Sequence, residues 1–506
     1  MPPEQDYDDL LVQIVEYVNK KDISGDKNAF CLAKCSFLDA LGCASESLAT
    51  NKDVQRLIGP YVPGTIVPNG FRLPGTSLIL DPVKGAFDFS VLIRYLDHND
   101  GFTGLEWGHP SDTLGAICSV ADYVSQSQKR PITIDNILTA LIKSYEIQGR
   151  LQLANSLNQR GLDHVFFEQL ACCAVISGPE FFNLTRDQAL AALSFCILDN
   201  APLRAYRHAP NAIPRKGWAA ASATSRAVQL VLLAATDQPG APKVLSTPRW
   251  GFEDAVMGPS RGAEGAIPEG QSKKLEMGGP HPPSLGTYVI KNVFYKLMPC
   301  EGHSLTAVEA CVRIRKDLVE KKVAWDVNQV ARVNIRTHNG AVLIISKPAS
   351  FRLTNPADRD HCLEFMLAVA LLKGEPPEYG DYSDNSSWST DERVDFLRER
   401  MVVTEYDKFS RDYHNPEIRS MASAVSIEFL DGTRTAELII EHPIGSPKHQ
   451  GTPKAVKEKL AKNLRLIYDE KTVNKVINMV ESDEQTLASD LFDLLWKGKS
   501  EHLARF

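Results

Sequence analysis

The hydrophobic periodicity of this chain changes twice, and this change limits the fold more than any other feature does. Up to about residue 250, apolar residues recur with the spacing of amphipathic helices. In residues 7–20 one helical face carries Leu10, Leu11, Ile14, Val15 and Val18. Strand-like alternation follows in the middle of the chain, and a charged helical pattern returns over residues 453–506.

The helical pattern predicts seven helices before the first change. They are expected at residues 7–20, 27–47, 113–126, 134–150, 165–178, 185–199 and 219–236. The second is rich in Ala, Gly and Ser, and such small residues let helices pack closely. Thr185 and Gln188 have the spacing of a capping box, which predicts a helix start at this point.

A segment with seven Gly and five Pro, Met257–Gly286, separates the helices from a mixed region and reads as a surface loop or linker. Beyond it we expect a helix at 304–322, strands at 329–336 and 341–345, and a hairpin at 425–441 that turns at Asp431-Gly432. This order predicts an inserted or capping domain. The predicted boundaries are 1–275, 276–445 and 446–506.

Composition excludes several classes of protein. A net charge of −7 argues against a nucleic-acid partner. No apolar run reaches the roughly 18 residues of a membrane span. The ten cysteines are dispersed without CxxC pairs, which favours reduced thiols and no iron–sulfur cluster. The first 20 residues contain no Arg, which favours a cytoplasmic location over a mitochondrial one, although a mitochondrial location stays open.

The densest group of ionisable residues spans Leu96–Asp112, with four acids, two His and three Gly. A carboxylate beside an imidazole is the usual pair for proton transfer, so this segment is a candidate acid/base site. If the segment is helical, Asp97 and Asp100 face the same way. A solvated loop with a capping Asp explains the same composition, and a metal site at Asp97, Asp100 and His109 is an unspecific alternative.

A second group places cations just before the predicted helix at 219–236. Its basic members are Arg204, Arg207, His208, Arg215 and Lys216. Cations at a helix N-terminus suit a ligand with carboxylates, because the free N–H groups add to their charge. A basic surface loop is the competing interpretation.

Three smaller groups complete the candidates. They are Gly161–His164, Lys296–His303 and Asn355–Cys362, and helix capping alone explains the last of them. No phosphate-binding loop, dinucleotide-binding glycine motif or serine-nucleophile elbow is present.

These segments resemble the MmgE/PrpD family, most closely its 2-methylcitrate dehydratase branch. The resemblance extends nearly end to end. Its most specific runs are Val62–Thr65, Glu106–Asp112, Gly161–His164, Tyr206–Asn211, Trp218–Ala220, Trp250–Phe252, Asn355–Cys362 and Asp431–Arg434.

The resemblance implies a mainly α-helical protein with a large all-helical domain, a smaller α+β lid and a C-terminal return to the helices. It also implies a homodimer, a tricarboxylate substrate, no metal or other cofactor, and an active site between the domains. The expected reaction is dehydration of a 2-alkylcitrate. A cis-aconitate decarboxylase on the same scaffold and a catalytically silent binding protein are the alternatives.

Carried over from the family, the catalytic residues are Asp97, His109, His164, Lys216 and Lys296. Arg207, His208 and His303 are expected to bind substrate beside them. Dehydration needs a base, an acid and cations that stabilise the enolate-like charge. Asp97 with His109 or His164 suits proton transfer, and Arg207, Lys216 and Lys296 suit charge stabilisation. The sequence leaves open which His is acid and which is base.

The chain departs from the branch at two glycines. Gly101 stands where relatives commonly have Thr, and Gly302 stands where they commonly have a bulky aromatic residue. Two missing side chains are expected to enlarge the pocket and admit a longer alkyl group. We therefore expect a longer-chain alkylcitrate of a secondary pathway, with 2-methylcitrate of propionate catabolism as the alternative.

Overall fold

The structure is a computed structural model that describes residues 6–207, 211–258, 274–279, 284–323, 325–415, 418–482 and 485–498. It is mainly α-helical, with one two-stranded and one four-stranded sheet in this part of the chain. Within the same ranges, no helix has both the length and the apolar character needed to cross a membrane.

Nine α-helices and a short hairpin form the described part of the chain up to Ala234. The helices are α1 (Asp9–Lys20), α2 (Lys27–Thr50), α3 (Lys52–Leu57), α4 (Pro82–Arg94), α5 (Leu114–Ser127), α6 (Ile134–Ala154), α7 (Val165–Ser177), α8 (Arg186–Leu198) and α9 (Ala219–Ala234), and β1 (Phe71–Arg72) pairs with β2 (Ile79–Leu80). All seven predicted helices are present. The capping box is formed at Thr185, whose side chain accepts a hydrogen bond from the backbone N–H of Gln188.

A mixed unit follows. Its elements are α10 (Leu305–Glu320), β3 (Val330–Thr337), α11 (Asn339–Ile344), α12 (Pro356–Arg359), α13 (Leu363–Lys373), α14 (Glu392–Arg398), β4 (Met401–Glu405), α15 (Asp407–His414), β5 (Ser423–Phe429) and β6 (Leu438–Ile440). The sheet order is β4-β3-β5-β6, with β3 and β4 parallel and the other pairs antiparallel. The predicted hairpin is confirmed, with Val425 opposite Leu438.

The strand predicted at 341–345 is wrong, because α11 occupies this segment. Short apolar runs do not separate helix from strand by periodicity. Here the backbone N–H of Val342 donates to the carbonyl of His338 at 3.3 Å, as in a helical turn. Ala341 and Ile345 are buried in the smaller core, while Leu343 between them is 81% exposed.

The chain returns to the helices after β6, as predicted. The last helices are α16 (Thr452–Leu464), α17 (Glu470–Glu481) and α18 (Ala488–Leu495). Helix α16 packs against α2, where Gly42 lets the backbone of Leu460 come close. Lys459 on α16 forms a buried ion pair with Asp39 on α2 at 2.8 Å.

Two hydrophobic cores result. The larger core joins α1–α9 with the last three helices, and the smaller core lies between the sheet and the helices of the mixed unit. The chain crosses from one to the other near Phe294, because Tyr295 belongs to the larger core and Phe294 to the smaller one. Most of the predicted Gly/Pro-rich linker lies outside the described residues.

Candidate active site

Asp97 forms the centre of a buried charged cluster where the two cores meet. It follows the last turn of α4 and has a left-handed backbone, with φ of 53°. Its carboxylate accepts hydrogen bonds from the guanidinium of Arg94 and from Lys296 Nζ, the latter at 2.6 Å. Burial alone would raise the pKa of Asp97, but Arg94 and Lys296 hold it well below its usual value. The cluster therefore ties α4 to the crossing segment.

His109 lies beside this ion pair in a neutral form. Its Nδ1–H donates to the carbonyl oxygen of Asp100 at 2.7 Å, so Nε2 carries the lone pair and accepts from Arg94 Nη2 at 3.0 Å. Nε2 is also 3.9 Å from the Asp97 carboxylate. Burial, followed by the charges of Arg94 and Lys296, holds the pKa of His109 well below its usual value.

His164 is the second imidazole of the cluster, and its ring centre is 6.0 Å from that of His109. Its Nδ1 lies 3.1 Å from Asp163, just before α7 begins. Asp163 is neutralised by Arg207, which binds it through two nitrogens at 2.6 and 3.1 Å. Burial lowers the pKa of His164 to about 3. Both predicted imidazoles are thus close together and uncharged.

Two buried carboxyls, Asp112 beside Arg94 and Glu168 beside His164, adjoin the imidazoles. Burial raises the pKa of Asp112 to about 8, and burial together with Asp112 raises that of Glu168 well above its usual value. Neither Glu168 oxygen has a hydrogen-bond partner among the described residues, and one lies 3.6 Å from His164 Nε2. The pair therefore retains a proton at neutral pH. Glu168 was missed because one acid in an apolar helix looks structural.

Asp100 has partners of its own. The segment that holds Asp97 and Asp100 is not helical. The two carboxylates therefore do not lie on one helix face, which was expected only for a helical segment. Asp100 accepts from Tyr145 Oη at 2.6 Å and from the backbone of Ser111 at 3.1 Å, and burial raises its pKa to about 6. No group of three His, Cys, Asp or Glu in the described ranges has the arrangement of a metal site.

Lys216 reaches across to the mixed unit. It lies in a short 3₁₀ turn before α9, and its Nζ donates to both oxygens of Asp360 at 2.7 and 2.6 Å. His361 Nδ1 is 3.0 Å from the same nitrogen. Asp360 and His361 connect α12 to α13, and the sequence interpretation assigned this segment to capping. Asn355 does cap α12, but Asp360 and His361 contact Lys216 instead.

His303 borders the cluster on the side of the mixed unit. Its ring stacks on Trp107 at 4.1 Å, its Nδ1 is 2.9 Å from Glu301, and its Nε2 is 3.1 Å from Tyr413 Oη. Burial would raise the pKa of Glu301, but His303, then His361 and Lys296, lower it to about 2. Glu301 therefore lies close to His303, His361 and Lys296. Neither Glu301 nor Tyr413 was singled out from the sequence.

The predicted open space beside Gly101 and Gly302 is wrong. A Cβ atom on Gly302 would overlap the ring of Trp107, and one on Gly101 would overlap the ring of Phe294. These glycines therefore make room for aromatic side chains and leave no gap of their own. His208, the remaining predicted substrate contact, lies outside the described residues.

Arg94 is the principal residue that sequence reasoning missed. It contacts Asp97 and His109 through two nitrogens, and a third lies 3.7 Å from Asp112. The only sequence signal was one cation in an apolar helix, three residues before Asp97. Together, the predicted residues Asp97, His109, His164, Lys216 and Lys296 lie in one connected set of buried charges.

The fold and cluster define a two-core protein with a buried cationic and imidazole-rich site at the junction. The MmgE/PrpD N-terminal domain matches residues 12–263, and the MmgE/PrpD C-terminal domain matches residues 298–485. The chain therefore belongs to the MmgE/PrpD family.

Named relatives cover almost the whole chain. It is 40% identical to "Alkylcitrate dehydratase phiI" of Fungal sp. (strain ATCC 74256), over 97% of this chain and 95% of that protein. It is 42% identical to "2-methylcitrate dehydratase-like protein oryR" of Aspergillus oryzae, over 96% and 95%. It is 43% identical to "2-methylcitrate dehydratase" of Escherichia coli (strain K12), over 89% of each chain.

The buried His164 predicts a specific loss of stability in acid. The unfolded chain protonates this imidazole below about pH 6.5, but the folded protein, with the pKa near 3, does not. The free energy of unfolding should therefore decrease as the pH falls from 7 to 5, with about 2 kcal/mol of the decrease due to His164. This amount requires only that the folded pKa lies below 5.

Denaturant unfolding of wild type and His164→Asn at pH 7 and pH 5 measures this contribution. The decrease should be smaller in His164→Asn by about that amount. His414→Asn, at an exposed position of α15, is the matched control and should behave as wild type. Equal pH dependence in wild type and His164→Asn would show that His164 is not held neutral.

Proposed function

We propose that the chain is a hydro-lyase that dehydrates a 2-alkylcitrate to the corresponding alkylaconitate by acid/base chemistry without a cofactor. One observation carries the proposal: Lys216 and Lys296, each held by a carboxylate, lie with two neutral imidazoles in one buried site. The names of the relatives support the same substrate class.

The lysines are suited to binding a tricarboxylate. In the structure Lys216 is neutralised by Asp360 and Lys296 by Asp97. A substrate carboxylate can take the place of Asp360 on Lys216, because Asp360 belongs to the mixed unit and can move with it. Lys296 is 2% exposed, so water screens its charge little and its effect on a developing enolate is strong.

The imidazoles are suited to removing the substrate's C–H proton. A base must be unprotonated at the working pH, and His109 and His164 are both held in that form. As the base takes the proton, the C–H electrons form the C=C bond and the C–O bond breaks. The hydroxyl leaves with a proton as water, so a separate acid must face the hydroxyl.

We further propose that the mixed unit is a lid over the helical domain, with the predicted division at 1–275, 276–445 and 446–506. The two separate cores support this division, although Val289 and Tyr295 still pack in the larger core. The Lys216–Asp360 ion pair and the hydrogen bond from Trp107 to Tyr413 at 2.8 Å connect the two units.

The length of the substrate's alkyl group distinguishes the two candidate substrates. The glycines offer no space for a longer chain, so this part of the proposal is supported by the fungal relative named an alkylcitrate dehydratase. The similar identity to the Escherichia coli 2-methylcitrate dehydratase supports 2-methylcitrate as the second candidate.

Purified protein should therefore be assayed with 2-methylcitrate and with a citrate whose alkyl group is four carbons longer. We expect the higher kcat/KM for the longer substrate, because the fungal relative is named an alkylcitrate dehydratase. Ultraviolet absorbance and mass spectrometry of the product measure the ratio of the two kcat/KM values. Preference for 2-methylcitrate would select the second candidate, and a product lighter by carbon dioxide would indicate a decarboxylase.

Replacement of Lys296 should impair the chemical step. Losing one preorganised cation from a closed site costs on the order of 10²–10³ in rate, so Lys296→Ala should reduce kcat/KM by that factor. Lys143, a buried lysine on α6 that donates to the carbonyl of Val18, is the matched control. Lys143→Ala should keep the wild-type kcat/KM. A folded Lys296→Ala enzyme with normal kcat/KM would remove Lys296 from the site.

We also propose the homodimer that the family resemblance implied. The loop before β1 supports it, because Tyr61, Val62 and Ile66 are 70%, 67% and 85% exposed although their side chains are apolar. Sedimentation velocity should give twice the chain mass for wild type and a smaller species when all three become Ser. A monomeric wild type at micromolar concentration would contradict the dimer.

A further inference from the structure

Three of the four imidazoles predicted from the sequence lie within the described residues, and they share one property that limits their use as acids. In the described structure both ring nitrogens of each have a protein group nearby. His109 has the Asp100 carbonyl and Arg94, His164 has Asp163 and Glu168, and His303 has Glu301 and Tyr413. His164 Nε2 has no hydrogen-bond partner among the described residues, but none of the three combines a free ring nitrogen with a side chain more than 9% exposed.

His361 differs in this respect. Its Nδ1 lies 2.7 Å from Asp360 Oδ1, and its Nε2 has no hydrogen-bond partner among the described residues. Its side chain is 26% exposed, compared with 9% for His109 and 7% for His164. An Asp–His pair with one free ring nitrogen is the arrangement by which carboxylates orient imidazoles for proton transfer.

The position of His361 places it at the cluster. Its Nδ1 is 3.0 Å from Lys216 Nζ, and its charge contributes to the low pKa of Glu301, which Lys296 also lowers. The charged and titratable groups that face it are Asp360 on its own segment, Lys216 from the turn before α9, and Glu301 from the segment before α10.

We propose that His361 is the catalytic acid of the dehydration, carried on the lid and oriented by Asp360. Nε2–H gives its proton to the substrate hydroxyl as the C–O bond breaks, so water leaves and His361 becomes neutral. His164, whose Nε2 lies 3.6 Å from Glu168 and has no hydrogen-bond partner among the described residues, takes the C–H proton, and the electron pair of the C–H bond forms the C=C bond. His164 passes this proton to solvent once the product has left. Solvent restores the proton on His361, since this side chain is partly exposed.

This division of roles follows from burial. The fully buried imidazoles are held unprotonated, as a base requires. The acid must regain a proton in every cycle, and a group in contact with solvent does so most directly. The Lys216–Asp360 ion pair places His361 at the site only when the two units are together, which makes the reaction depend on lid position.

The inference rests on the proposed function and is tested with the full-length enzyme. His361→Gln should lower kcat/KM by 10²–10⁴, the range for a lost general acid, and remove the decrease of kcat at alkaline pH. Its Kd for propane-1,2,3-tricarboxylate, which has no hydroxyl to lose, should stay within twofold of wild type. His361→Ala should regain activity with added imidazole, which a structural role would not produce.

Two variants complete the design. Asp360→Asn should lower kcat, because the imidazole loses its orienting carboxylate, and Asp384→Asn, a neighbouring lid Asp paired with Arg359, should not. His414→Gln should match wild type in kcat and in its pH profile. Unfolding temperatures establish that each variant is folded.

The outcomes separate the two claims. If wild type dehydrates alkylcitrates while His361→Gln keeps kcat/KM within threefold and the same alkaline limb, His361 is not the acid and the proposed function stands. If His361→Gln loses only tricarboxylate affinity, His361 is a binding residue and the inference is overturned. If wild type dehydrates no alkylcitrate, the proposed function fails and the inference fails with it.

Discussion

The carboxylate of Asp97 is buried between two cations from distant parts of the chain, Arg94 at the end of α4 and Lys296 in the segment that joins the two cores. Removing one partner of such a group leaves an uncompensated buried charge, which costs about 3–5 kcal/mol. This contact joins the loop that follows α4 to the segment where the chain crosses between the cores. His109 lies beside it, with Nε2 3.9 Å from the carboxylate.

The charges around Asp97 differ between the interior of the cluster and its boundary with the mixed unit. Burial, together with the cations near Asp97, keeps His109 unprotonated, while burial and their mutual repulsion let the carboxyls Asp112 and Glu168 retain a proton. Toward the mixed unit, Lys216 and Asp360 form an ion pair that a substrate carboxylate can replace. Neutral imidazoles therefore lie deep in the cluster, and the Lys216–Asp360 ion pair lies at the boundary between the units.

Periodicity predicted the seven early helices and the hairpin at Val425, because those segments are long or have a clear turn signal. It missed α4, whose residues are almost all buried and show no polar face, and it misassigned α11, which is too short to reveal its period. Side chains within recognisable motifs were predicted and do cluster. Arg94 was missed because the helix that carries it, α4, was missed, and Glu168 because it is a single charge in an otherwise apolar helix. His361 was overlooked because its segment was assigned to helix capping. The Gly302 prediction failed because Trp107 fills the space.

A crystal structure with bound propane-1,2,3-tricarboxylate tests the central claim most directly, namely that this cluster is a tricarboxylate site. The account predicts ligand carboxylates within ion-pair distance of Lys216 and Lys296 Nζ, with Asp360 released from Lys216 and His361 facing the central carbon that bears the hydroxyl in a citrate. A ligand bound elsewhere, with the Lys216–Asp360 ion pair intact, would contradict it.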